Sequence, residues 1–204
     1  MRDEMDILRE IGSISAGHAS IALSEILGRK INLTMPCLDI VSGKVAEDKL
    51  YTEQIVLGVT CQILSGLKGN ILFILDEKAA FNLIEICEKT RKWPQGIGIL
   101  TEMGISIVKE VGSIVISSYV GALNMMLKKL IIPSVPTLIS GPIGKIIETA
   151  VTPYQKEGYF LMIEVIFEEP QDKIKGGFYL ILNPQTMKEI QKSCKKILIS
   201  LKGK

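Results

Sequence analysis

The chain has 204 residues, 47% of them apolar, which is enough for an ordinary buried core and too apolar for a disordered polypeptide. Its 24 basic and 22 acidic side chains leave a formal charge of +2, so no whole-chain electrostatic reason points to nucleic acid. The cysteines at 37, 61, 87 and 194 lack metal-ligand spacing, and the chain opens Met-Arg-Asp-Glu rather than with an apolar signal, so a reducing cytoplasm is the expected compartment.

From Glu4 to Leu27 the apolar residues Ile7, Ile11, Ile14 and Ile21 recur at helical steps, which predicts a helix that buries them on one face. Asp6, Glu10, Ser13 and Gly17 share the period and form a second stripe, and Gly28 supplies a C-cap. After Pro36 the pattern turns extended: strands are expected at Cys37–Val45, Glu53–Leu64 and Gly69–Leu75, with a charged turn at Ala46–Lys49. Asp76 is a good N-cap for a helix from Glu77 to Thr90, whose Ala80, Leu83, Ile84 and Cys87 keep helical spacing. Trp93, Pro94 and Gly96 punctuate its end.

The second half repeats the order. A helix from Leu100 to Lys129 sets Ile107, Val111 and Ile114 on one face and Ser106, Glu110, Ser113 and Ser117 on the other. Its longest uncharged stretch, Val111–Leu127, is 17 residues and contains Asn124, short of the roughly 20 that a membrane span needs, so a core helix is expected. Pro133 and Pro136 follow, then strand candidates Ile146–Val151, Tyr159–Glu168 and Gly176–Leu182. Asn183 with Pro184 opens a terminal helix, and the basic tail Lys188–Lys204 is read as its solvated face.

The two halves register on each other. Asp6, Glu10, Ser13 and Pro36 match Ser106, Glu110, Ser113 and Pro136 at an offset of 100 without a gap. Lys68, Gly69, Leu75, Asp76 and Cys87 match Lys175, Gly176, Leu182, Asn183 and Cys194 at an offset of 107. Such self-similarity predicts a single domain of two internal repeats, about 1–95 and 96–204, related by a pseudo-two-fold axis. The expected class is α+β: a duplicated helix–three strands–helix unit with its helices packed on one shared, mainly antiparallel six-stranded sheet. The opening helices are expected side by side, with Ser15, Ala16 and Gly17 approaching Ser117, Ser118 and Gly121.

Steps of four and three place Asp6, Glu10 and Ser13 in one line on a helix face, and Ser106, Glu110 and Ser113 likewise. With the proline and the second copy included, the pattern resembles the CheC family of chemotaxis phosphatases, a group that includes CheX and the phosphatase domain of FliY. The wording around it is similar too: Leu8-Arg9-Glu10-Ile11-Gly12-Ser13-Ile14-Ser15-Ala16-Gly17, Val108-Lys109-Glu110-Val111-Gly112-Ser113-Ile114 and Pro133-Ser134-Val135-Pro136. The family motif runs Asp or Ser, Glu four later, Asn three after that, and Pro twenty-three further.

The resemblance implies removal of the phosphoryl group from the phosphorylated aspartate of a CheY-like receiver. It gives Glu10 and Glu110 the docking of a receiver lysine, and Ser13 and Ser113 the place of the Asn that orients the attacking water. Asp6 and Ser106 fall into the surrounding docking surface, Gly12 and Gly112 serve either the approach of the partner there or close packing, and Pro36 and Pro136 are the motif prolines. No cofactor of the chain's own is implied; Mg2+ belongs to the receiver. The family also implies the receptor deamidase CheD as a second partner. The departure is Ser at both Asn positions: a hydroxyl reaches less far than an amide and offers one rotatable donor, and a loss of about 1 Å there costs on the order of a hundredfold in rate. Two classes follow, a slowed phosphatase and a docking module without turnover.

Overall fold

The computed structural model describes residues 2–34, 36–42, 53–91, 101–153, 159–171 and 173–183, with 185, 186, 188–190 and 192 beyond them. The charged turn at 46–49, the punctuation at 93–96 and most of the basic tail lie outside the described residues.

Helix α1 (Arg2–Leu27) buries Leu8, Ile11, Ala16, Ala19, Leu23 and Leu27. The isoleucines expected on that face divide: Ile11 is buried, Ile7 and Ile14 are half-buried, and Ile21 is 57% exposed. The cause is the seven-residue spacing of Ile7, Ile14 and Ile21, which drifts about 20° per heptad around a straight helix and carries the last one to solvent. The helix ends as expected at Gly28, in the left-handed region at φ 61°.

The strands are β1 (Asn32–Leu33), β2 (Cys37–Ser42), β3 (Ile55–Ser65), β4 (Gly69–Asp76), β5 (Ile132–Pro133), β6 (Thr137–Pro142), β7 (Tyr159–Glu169) and β8 (Ile174–Leu182). They form one sheet in which every pair is antiparallel. Its order is β1–β7–β8–β4–β3–β5, with β2 continuing β1 along β7 and β6 continuing β5 along β3. The sheet thus has the six strand positions expected, each edge position being broken near Pro36 or Pro136, since proline brings no N–H to a ladder. The central pair is β4 with β8, where Leu72 faces Tyr179. The edges cross over: β2, from the first half of the chain, pairs with β7 of the second, and β6 pairs with β3 of the first.

Alternation along β4 feeds two cores. Ile71, Phe73 and Leu75 point to the layer built by α1, α2 (Glu77–Arg91) and α3 (Glu102–Leu127), while Leu72 and Ile74 point to α4 (Ile143–Val151) on the other face. Coverage of both faces is why β4 reads as an unbroken apolar run. Phe73, Phe167 and Phe178 meet from three strands, and Tyr119 of α3 lies 6.3 Å from the Phe178 ring.

Two strand expectations are corrected. Ile146–Val151, β-branched and read as extended, belongs to α4, because Ile143, Ile147 and Val151 recur every four residues and seat one helix face on Val56, Ile74 and Ile181. The strand preceding it is Thr137–Pro142, which the surrounding prolines and Gly141 disguise as a loop.

Caps explain the other boundaries. The Ala79 N–H donates to Asp76 Oδ1 at 2.6 Å, and the Gly104 N–H to Thr101 Oγ1 at 3.1 Å. The Thr186 N–H donates to Asn183 Oδ1 at 2.8 Å, where the terminal helix was expected to open. Helix α3 stops at Lys128, which adopts the left-handed conformation at φ 50° in the place corresponding to Gly28. Helix α3 is long and apolar enough to cross a membrane by length and composition, but half of its most apolar window is buried inside the fold, and its Ile107, Val108, Val111 and Val115 belong to the core.

Helices α1 and α3 pack side by side. Of the small residues expected at their contact, Ser118 is engaged, its hydroxyl donating to the His18 carbonyl oxygen at 3.0 Å. Gly17 and Gly121 are not at the contact: a Cβ on either would meet nothing within 4 Å.

Candidate functional site

What the sheet fixes first is the direction in which α1 and α3 face. A Cβ on Gly12 would lie 2.8 Å from Ile163 Cγ2 of β7, and one on Gly112 would lie 2.6 Å from Val59 Cγ2 of β3. Both glycines are buried on the sheet side of their helices. Of the two roles the sequence leaves open for them, close packing and the approach of a partner, these positions are those of close packing. Their missing side chains let the helix backbones settle on the strands, which turns the opposite helix face outward.

On that outward face stand Asp6, Glu10 and Ser13 of α1 and Ser106 and Glu110 of α3, all exposed, with Ser113 half-buried. Asp6 accepts from Arg9 at 3.5 Å. Glu10, Ser13, Glu110 and Ser113 make no side-chain hydrogen bond or ion pair among the described residues. Each glutamate directly follows a basic residue, Arg9 or Lys109, and precedes a serine by three positions, just under one turn.

The motif prolines lie beneath this surface. Pro36 is buried, with its Cβ 4.0 Å from where a Gly12 Cβ would stand, so the proline closes the strand end against the motif helix. Pro136 is half-buried at the opposite edge.

This arrangement can offer a carboxylate to an external cation, and a hydroxyl that donates and accepts, within one turn of each other. It does not contain an activated nucleophile: no base contacts Ser13 or Ser113 among the described residues. His18, the single histidine, is exposed five residues beyond Ser13. Among the described residues no group of three or more His, Cys, Asp or Glu gathers in a metal-like cluster.

Two features had no signal in the sequence. A cleft of about 700 Å³ opens on the other side of the sheet, where Thr60, Gln62, Leu72, Ile139, Lys145 and Ile146 line the space between α4 and β3, β4 and β6. No stripe residue reaches it. On the same side, burial pushes the Tyr179 phenol far above its usual range, and the charge and hydrogen bond of Glu164 push it in the same direction.

Comparison with known proteins agrees with this geometry. The sequence model of the CheC-like family matches residues 4–37 and 103–140, the two segments that carry the stripes and their prolines. The CheY-P phosphatase CheC of Bacillus subtilis (strain 168) is 26% identical over 184 residues, covering 88% of each chain. Among solved structures, FliY of Thermotoga maritima superposes with a TM-score of 0.74 at 23% identity, over 96% of this chain and 98% of that one. A chain of the CheX–CheY–BeF3–Mg2+ complex of Borrelia burgdorferi superposes with a TM-score of 0.52 at 18% identity, over 85% and 97%. The family model thus matches the two motif segments of this chain, and the fold is shared with FliY along nearly its whole length.

Proposed function

We propose that the chain docks a phosphorylated CheY-like receiver through these stripes and hydrolyses its aspartyl phosphate slowly. The observation that carries this reading is the pair of solvent-facing glutamates, each with a serine hydroxyl just under a turn away that has no partner among the described residues. In the reaction a water oxygen bonds to phosphorus as the bond from phosphorus to the aspartate oxygen breaks. The aspartate leaves as carboxylate, and both water protons go with the released phosphate as H2PO4−, which then equilibrates with solvent.

Glu10 or Glu110 pairs with a receiver lysine, and Ser13 or Ser113 hydrogen-bonds the water in line with the phosphorus. Mg2+ and the phosphoaspartate are the receiver's own. Placing the water and stabilising charge are most of what phosphoryl transfer requires, so a helix face with no nucleophile suffices. The relative named as a CheY-P phosphatase and the neighbour solved with CheY support the partner. A cytoplasmic place follows from that partner. The two-repeat, single-domain organisation belongs to the same reading, and is supported by a sheet order in which β3 flanks β4 as β7 flanks β8.

The test is phosphate release from phosphorylated Bacillus subtilis CheY with and without the purified chain. Acceleration is expected, lost in the double variant Glu10→Ala with Glu110→Ala and increased on the order of a hundredfold by Ser13→Asn with Ser113→Asn. No acceleration by the chain or by the asparagine double variant sinks the phosphatase.

Serine at both positions favours a second reading, a docking module without turnover that holds the receiver or regulates CheD. Its mark is saturable binding of CheY or CheD in a titration, with phosphate release at the spontaneous rate. Absence of binding to both removes it.

A further inference from the structure

The line of Asp6, Glu10 and Ser13 does not end at Ser13. Continued in steps of four it reaches Gly17 and then Ile21, the side chain displaced from the buried face and 57% exposed. Eleven residues separate Glu10 from Ile21, three turns plus about 20°, so the two project in the same direction about 16 Å apart. Between them Gly17 leaves open space where a Cβ would stand, and half-buried Ile14 flanks the gap. The surface therefore presents, in order, two carboxylates, a hydroxyl, a notch and an apolar knob.

The stripe on α3 is built otherwise. Ser106, Glu110, Ser113 and Ser117 lead to Gly121, which carries no knob and has free space around it. The exposed apolar residues along that stripe are Met103, about two turns before Glu110, and Met125, about four turns after it, and neither stands at the position of Ile21. Ser113 is also half-buried where Ser13 is exposed.

Resting on the receiver-docking reading above, we propose that Ile21 is the apolar anchor of that surface, and that it makes α1 the preferred docking face. A receiver seated with a lysine on Glu10 and its reacting centre at Ser13 covers Ile21 with an apolar patch beside that centre. On α3 the same seating meets Gly121. A single exposed isoleucine is ordinary on a protein surface; this one is distinguished by continuity with the charged line and by the glycine at its counterpart.

The experiment titrates the full chain with Bacillus subtilis CheY carrying BeF3 and Mg2+. Ile21→Ala is expected to weaken binding about ten- to a hundredfold, the effect of uncovering one buried aliphatic side chain. Glu10→Ala also weakens it, by more than Glu110→Ala does, Met103→Ala leaves it within about twofold, and Gly121→Ile raises the stoichiometry towards two receivers per chain. Matching melting temperatures show that the variants fold. If Glu10→Ala weakens binding while Ile21→Ala does not, or if Met103→Ala has the larger effect, the anchor is wrong and the docking reading stands. If no receiver binds, or neither glutamate matters, the docking reading fails and the anchor with it.

Discussion

Gly112 and Val59 are in such close contact that a methyl group on the glycine would come within 2.6 Å of the valine Cγ2 and 2.8 Å of its Cβ. Valine in a strand has little rotameric freedom to yield. Gly112→Ala should therefore cost about 1–3 kcal/mol of overpacking against a helix-propensity gain of about 1 kcal/mol. Gly12→Ala should cost less, because its second contact, Ile163 Cδ1, stands off at 3.7 Å. Urea unfolding checks both, and a stabilised Gly112→Ala would contradict the packing described.

The ends of α3 offer opposite changes. Lys128 holds a left-handed conformation that costs a side-chain-bearing residue roughly 1–2 kcal/mol, so Lys128→Gly should stabilise the protein by about 1 kcal/mol. Thr101→Ala removes the cap on the Gly104 N–H and should destabilise it by about 1 kcal/mol. Shifts of denaturation midpoint in opposite directions are the expected result.

Alkaline pH should unfold the protein through its buried acids. Burial pushes the Cys61 thiol up to about 11 and carries the Tyr119 and Tyr179 phenols far above their usual range. A folded-state value above the unfolded one gives stability that is complete below the unfolded pKa and lost as pH rises through the folded one. Unfolding free energy should be level near neutrality and fall from about pH 9 upward. Urea titrations at stepped pH measure this, and Cys61→Ala should remove the earliest part of the decline.

The same burial orders the thiols. Cys37 is exposed, with its sulfur 3.4 Å from Asp39 Oδ2, whereas Cys61 and Cys87 are buried. Burial raises the Cys61 thiol and so holds it in the neutral, unreactive form. Timed alkylation with peptide mapping should find Cys37 modified well before the other two.

Single asparagine substitutions should separate the faces. Ser13 is exposed and Ser113 half-buried, so Ser13→Asn should raise receiver dephosphorylation more than Ser113→Asn, while stability moves by less than about 0.5 kcal/mol at the exposed site. Equal gains would mean that both faces serve.

Much of the fold was legible because local chemistry writes it. Asp76, Asn183 and Gly28 announced their helix ends, and β3, β4, β7 and β8 stood out as apolar runs. One edge was legible, since β2 falls within the expected Cys37–Val45, and the other, Thr137–Pro142, was not. Ile146, Ile147 and Val151 look extended by residue type, and the four-residue recurrence that seats them on the sheet competes with that preference. The glutamates and serines of the site could be placed from spacing alone, since a helix fixes which positions align. Gly12 and Gly112 could not: a residue without a side chain does not announce which way it faces, and only the strand beneath it decides.

The crossed edges govern how such a chain can assemble. Cys37 finds its ladder partner at Glu164, and Val59 finds one of its own at Leu138. A nascent chain released from its amino end thus holds an open strand edge until most of its length has been synthesised, and the loops to be closed make its contact order high and its folding slow. Cleaved between Arg91 and Thr101, the two pieces would each lack an edge strand that the other holds. Complementation between fragments, rather than independent folding of either, is the behaviour this topology dictates.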